Sequence, residues 1–77
     1  MVFECHFVKG SRNGETSTYS FKTSRPPNDL YWNTMDGIMT VGGYIATNSS
    51  IILSTDCYRM VWWDREHTAV YVCMGFK

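Results

Sequence analysis

Asn28-Asp29-Leu30-Tyr31-Trp32-Asn33-Thr34-Met35-Asp36-Gly37-Ile38-Met39-Thr40 is the stretch whose periodicity decides the fold. Leu30, Tyr31, Met35, Ile38 and Met39 recur at the spacing of one helical face, and Asn28 and Asp29 suit the positive end of a helix dipole. Arg25-Pro26-Pro27 halts any preceding strand, because proline donates nothing to a ladder and restricts the residue before it. The spacing therefore predicts a helix from about Asn28 through Thr40. Gly42-Gly43 supplies a stop. The apolar stripe nevertheless runs on through Val41 and Ile45, which would carry the helix to Thr47 at about 1 kcal/mol for each glycine crossed.

Upstream, Val2 to Lys9 alternates, with Phe3, Cys5 and Phe7 on one strand face and Glu4 and His6 on the other. A second alternating run from Thr16 to Thr23 puts Ser17, Tyr19 and Phe21 on a common face. A three-residue loop Arg12-Asn13-Gly14, with Gly14 left-handed as a bulge, sets Phe7 opposite Tyr19, Cys5 opposite Phe21 and Glu4 opposite Lys22. A two-residue turn would set aromatic faces against polar ones, and a one-residue slip flips every side chain.

Downstream, Asn48-Ser49-Ser50 reads as a turn and Ile51-Ile52-Leu53 as a short strand. Tyr58 to Trp63 and Thr68 to Met74 then form a second hairpin around Asp64-Arg65-Glu66-His67. A four-residue loop pairs Trp63 with Thr68, Val61 with Val70 and Arg59 with Val72. It leaves Tyr58, Met60 and Trp62 beside Ala69, Tyr71 and Cys73. Both faces of this hairpin are apolar, so one packs on the helix and the other is covered by a loop or offered to a partner.

Residues 1–77 thus read as a single α+β domain, a two-layer sandwich of a mainly antiparallel sheet with one helix, in the order β-β-α-β-β with an extra short strand. The expected core is Phe3, Phe7, Phe21, Leu30, Ile38, Val61, Val70 and Val72. Twelve aromatic residues supply large buried areas to a chain that has little to spare for a deep pocket.

Seven basic residues balance seven acidic ones, which removes the long-range field of most nucleic-acid and membrane binders. The three cysteines, Cys5, Cys57 and Cys73, are odd in number and widely spaced. With no secretory signal or apolar span in the sequence, the expected setting is cytoplasmic with reduced thiols and no membrane association. There is no nucleophile elbow, phosphate loop or paired metal-ligand motif. Cys5 and His6 point to opposite faces of one strand. The expectation is no catalytic residue, no cofactor and no metal.

The tryptophans, tyrosines and arginines of the second half point instead to binding, since these residues dominate interface energetics. The expected function is a small non-catalytic protein-binding module, of the kind phages and mobile elements use as inhibitors that occlude a surface of a host protein such as a defence component. Tyr58, Arg59, Trp63 and Arg65 are its candidate partner-binding residues, and an apolar sheet face offers a homodimer surface. The alternative is a nucleic-acid accessory protein using Lys9, Arg12, Lys22 and Arg25 on the basic first hairpin. A small toxin-like enzyme ranks third.

Overall fold

Residues 28–40 form a β-hairpin and not a helix. In the computed structural model, which describes residues 1–41 and 55–76, β3 (Asp29–Asn33) and β4 (Ile38–Val41) pair antiparallel, with Leu30 opposite Val41 and Trp32 opposite Met39. The turn between them explains why helical spacing fails. The Asn33 carboxamide accepts the Met35 N–H at 2.8 Å and the Asp36 carboxylate accepts the Ile38 N–H at 3.0 Å. Such local side-chain bonds give the backbone an alternative to the helical ladder. Gly37 adopts φ +71, where a non-glycine residue would be strained. The supposed apolar stripe does not bury as a unit: Met35 and Ile38 are exposed, Leu30 is in the core and Met39 packs against its edge.

The α+β sandwich is therefore replaced by a nearly all-β architecture, a mixed six-stranded sheet curled into a half-barrel. The remaining strands are β1 (Val2–Val8), β2 (Thr16–Ser20), β5 (Thr55–Trp63) and β6 (Thr68–Phe76), in the spatial order β2-β1-β6-β5-β3-β4. All pairings are antiparallel except that of β1 with β6, which is parallel and sets Cys5 beside Ala69 and Phe7 beside Tyr71. The helix extension to Thr47, the Asn48-Ser50 turn and the Ile51-Leu53 strand lie outside the described residues.

The first hairpin keeps its expected faces in a different register. Phe3, and not Phe7, lies opposite Tyr19; Cys5 lies opposite Ser17 and Glu4 opposite Thr18. The connection is longer than three residues because Gly10–Arg12 makes a 3-10 turn beyond β1, although Gly14 is left-handed as expected. Gly10 is held at φ +69 so close to the sheet that a Cβ there would meet the Cys73 sulfur at 2.6 Å and the Tyr58 hydroxyl at 2.7 Å. Shifting the register by an even number leaves each side chain on its own face, and Phe7 still meets Tyr19 edge-on at 6.3 Å.

In the second hairpin, Arg59 faces Val72 as the four-residue loop requires, and Tyr58 faces Cys73. A bulge between Met60 and Trp62 then shifts the register, so that Trp62 faces Val70 and Trp63 faces Ala69. The extra residue lets Tyr58, Met60 and Trp63 all lean on the concave side.

That side is filled by Phe3, Phe7, Phe21, Leu30, Tyr58, Ala69 and Tyr71, with Tyr19, Trp32, Met39 and Trp63 packed around them. Among the described residues no helix covers it; curling the sheet brings aromatic rings from its own strands together, with Phe7 5.0 Å from Tyr58 and 6.0 Å from its own neighbour across the parallel ladder, Tyr71. Four expected core residues are elsewhere. Ile38 and Val61 are exposed, and Val70 and Val72 are half-buried on the outer face.

Candidate functional site

The outer face of the sheet is built by cross-strand rows. One row runs Val8, Val72, Arg59, Asp29 across β1, β6, β5 and β3; the next runs Thr16, His6, Val70, Trp62 across β2, β1, β6 and β5. Val70, Val72 and Met74 alternate along β6 and share this face. The centre is therefore apolar and its margins polar. Trp62 and Val61 remain 51% and 59% exposed, and Met74 and Val8 are exposed as well. Arg59 donates to Asp29 at 3.1 Å along the margin. An apolar surface of this kind, rimmed by charge, marks interaction sites on soluble proteins.

Two of the expected partner-binding residues are not on it. Tyr58 is fully buried; its hydroxyl accepts the Arg12 backbone N–H at 3.0 Å and donates to the Lys9 carbonyl at 2.9 Å, tying the β1–β2 connection to the centre of the sheet. Trp63 packs edge-on against Phe3 at 6.2 Å because the bulge turns it inward. Its neighbour Trp62 is the outward ring. The sequence placed the two rings on opposite faces but assigned them the wrong way round, since no turn or glycine announces the bulge. Arg59 is on the outer face, and Arg65 is exposed in the β5–β6 turn.

That turn is a structural device. The Asp64 carboxylate accepts the N–H groups of Glu66 and Thr68, and His67 adopts φ 65 while its ring lies 4.9 Å from Phe3. His67 also offers its carbonyl to the Glu4 N–H at 2.8 Å. These contacts give Asp64 and His67 structural roles in the turn.

Of the four basic residues proposed for nucleic acid, Arg12 is withdrawn from solvent. Its guanidinium lies 4.5 Å from the centre of the Phe7 ring and 4.6 Å from that of Trp32, and donates to Glu15, Tyr19 and Ser17. It closes the concave side as a cation held between rings. Arg25 donates to the Asn28 carboxamide, and Lys9 and Lys22 are exposed. The structure does not assemble the four into one phosphate-binding group.

The arrangement with most chemical resemblance to catalysis is on β1 and β2. His6 Nδ1 lies 3.1 Å from the Thr16 hydroxyl, and Nε2 lies 2.7 Å from the Glu4 carboxylate. A hydroxyl, an imidazole and a carboxylate in series can orient a proton acceptor. Here they lie on an open sheet face, with the carboxylate more than half exposed, and they line no part of the cleft formed by Ser20, Phe21, Pro27 and Val41. Cys5 and Cys57 are not activated. Burial pushes Cys5 from the usual 9.0 to about 11, against a smaller opposing effect of Arg12, and burial also raises Cys57. Among the described residues no group of three or more His, Cys, Asp or Glu side chains could hold a metal ion, and no helix is long and apolar enough to cross a membrane.

No protein-family model, no curated protein and no solved structure matches this chain.

Proposed function

We propose that this protein is a non-catalytic protein-binding module whose outer sheet face covers a surface of a larger protein, in the manner of the small inhibitors that phages and mobile elements direct at host proteins. The observation that carries the reading is the half-exposed Trp62 ring, next to Val61 in sequence and opposite Val70, on an outer face that also carries Val8, Val72 and Met74. A tryptophan held by strand pairing costs little entropy to order and can anchor an interface. Arg59 and Asp29 on the margin would fix orientation more than affinity.

The test compares the native chain with Trp62→Ala as bait in lysates, followed by titration of the retained protein. The expected result is a protein retained by the native chain and bound about 30-fold or more weakly by the variant, equivalent to roughly 2 kcal/mol. Retention of random DNA or RNA that falls steeply with salt and is lost in a Lys9/Lys22/Arg25 alanine variant would overturn the reading. So would concentration-dependent dimerisation abolished by Trp62→Ala, which would give the face to a second copy.

A further inference from the structure

A half-barrel has two sheet edges, and here they are β2 and β4. The β2 edge is intact as a template for another strand. Phe7 donates to the Glu15 carbonyl and Phe21 to the Met1 carbonyl, so the hydrogen-bonded pairs of the β1–β2 ladder fall at Glu15, Ser17, Tyr19 and Phe21. Antiparallel ladders alternate, so the backbone N–H and C=O groups of Thr16, Thr18 and Ser20 face away from β1. Among the described residues nothing pairs with them. The strand Thr-Ser-Thr-Tyr-Ser carries no charge, proline or bulge, the devices that usually blunt an edge.

At the Ser20 end of this edge lies a cleft of about 420 Å³ lined by Ser20, Phe21, Lys22, Thr23, Pro27 and Val41. It joins the end of β2 to the end of β4, so it occupies the gap that a closed barrel would fill. Its walls are fixed: Pro26 is fully buried and the Tyr71 hydroxyl donates to the Pro27 carbonyl. Phe21, Pro27 and Val41 make it apolar. Lys22 on its rim is exposed and forms no ion pair among the described residues.

We propose that the seam of the half-barrel takes an extended peptide, which adds to β2 through the outward backbone groups of Thr16, Thr18 and Ser20, seats one apolar side chain against Phe21, Pro27 and Val41, and places an acidic side chain at Lys22. The unpaired edge selects an extended chain, because only a strand offers donors and acceptors at the matching repeat. The cleft selects an apolar residue at the end of that strand, and the unpaired lysine selects a carboxylate beside it. This surface is separate from the outer face around Trp62, so either can fail without the other.

The probe is a pool of N-acetylated, C-amidated heptapeptides of alternating threonine and valine, with leucine, isoleucine or phenylalanine next to last and glutamate last. Amide hydrogen exchange of the whole protein is the readout. With a pool member at about ten times its Kd, exchange at Thr16, Thr18 and Ser20 should slow about tenfold, while Ser17 and Tyr19, already bonded to β1, change little. A peptide methylated at the nitrogens facing the edge should lose this protection. Lys22→Glu should weaken binding and a peptide ending in lysine should restore it, whereas Trp62→Ala should leave it unchanged. The proposal is overturned if no pool member protects the three amides at millimolar concentration, if the methylated peptide protects them equally, or if they are protected by raising the protein concentration alone.

Discussion

The two faces of one sheet have been put to opposite uses by nearly the same residue types. On the concave side Phe3, Phe7, Tyr58 and Tyr71 are buried and every hydroxyl has a partner; on the outer side Trp62, Val61 and Met74 stand half in water. Apolar content does not separate them. Curvature does: it brings concave side chains from distant strands within contact while spreading the outer ones apart. Among the described residues, a sheet that curls this way builds its core from its own strands and leaves its other face half exposed.

If that division is real, the largest effect comes from emptying the concave side. Phe7→Ala should destabilise the fold by about 3 to 5 kcal/mol, because the ring is almost wholly buried and touches both the parallel and antiparallel ladders. Denaturant unfolding measures it, and a loss below about 1 kcal/mol would mean that the concave side is not the core. Gly10→Ala should cost about 1 to 3 kcal/mol in the same assay, since the methyl group meets Cys73 and Tyr58 and the backbone is left-handed there.

Alkali is a second test of the concave side, to which Cys57 and Tyr31, opposite each other on β5 and β3 and also raised by burial, add their own effect. Cys5 is raised from 9.0 to about 11 by burial, so between those values the unfolded chain has lost a proton the folded chain retains. Stability is full below pH 9 and falls as pH rises through the window, by about 1.4 kcal/mol per pH unit from this group. Tyr58 and Tyr71, also raised by burial, add to the fall at higher pH. Melting curves should show the slope, and Cys5→Ala should remove its first part. The smallest effect belongs to the outer face: Trp62→Ala should change stability by no more than about 0.5 kcal/mol. A larger loss by thermal melting would place that ring in the core and remove it as a contact.

Strand periodicity carried the reading of β1 and β2 correctly as to face, because alternation survives a change of register by an even number; on β6 it separated the two faces but put Val70 and Val72, which lie on the outer one, in the core. It did not carry β3 and β4. Leu30, Tyr31, Met35, Ile38 and Met39 satisfy helical spacing by coincidence, while Trp32 falls off that stripe and Asp36-Gly37, a hairpin signal, sits in its middle. The bulge that exchanged Trp62 for Trp63 leaves no local mark, and Tyr58 looked like a contact residue because its burial depends on Lys9 and Arg12, far away in sequence. Arg12 was legible as a cation and not as one enclosed by Phe7 and Trp32. For Tyr58 and Arg12 the missing information was a contact between distant segments, whereas the β3–β4 hairpin had a local signal that the helical spacing outweighed.

The parallel pairing of β1 with β6 has a kinetic side. Hairpins β3–β4 and β5–β6 close over short turns and can form as soon as their residues are joined. Strand β1, made first, finds its central neighbour only when the last strand of the sheet has been made, and until then Phe3, Cys5 and Phe7 have just one flank supported. Such long-range closure is slow, placing this chain among the millisecond-to-second folders despite its size. A nascent chain stalled before β6 therefore displays the very rings the finished half-barrel hides, and its safety during synthesis rests on how quickly β6 arrives.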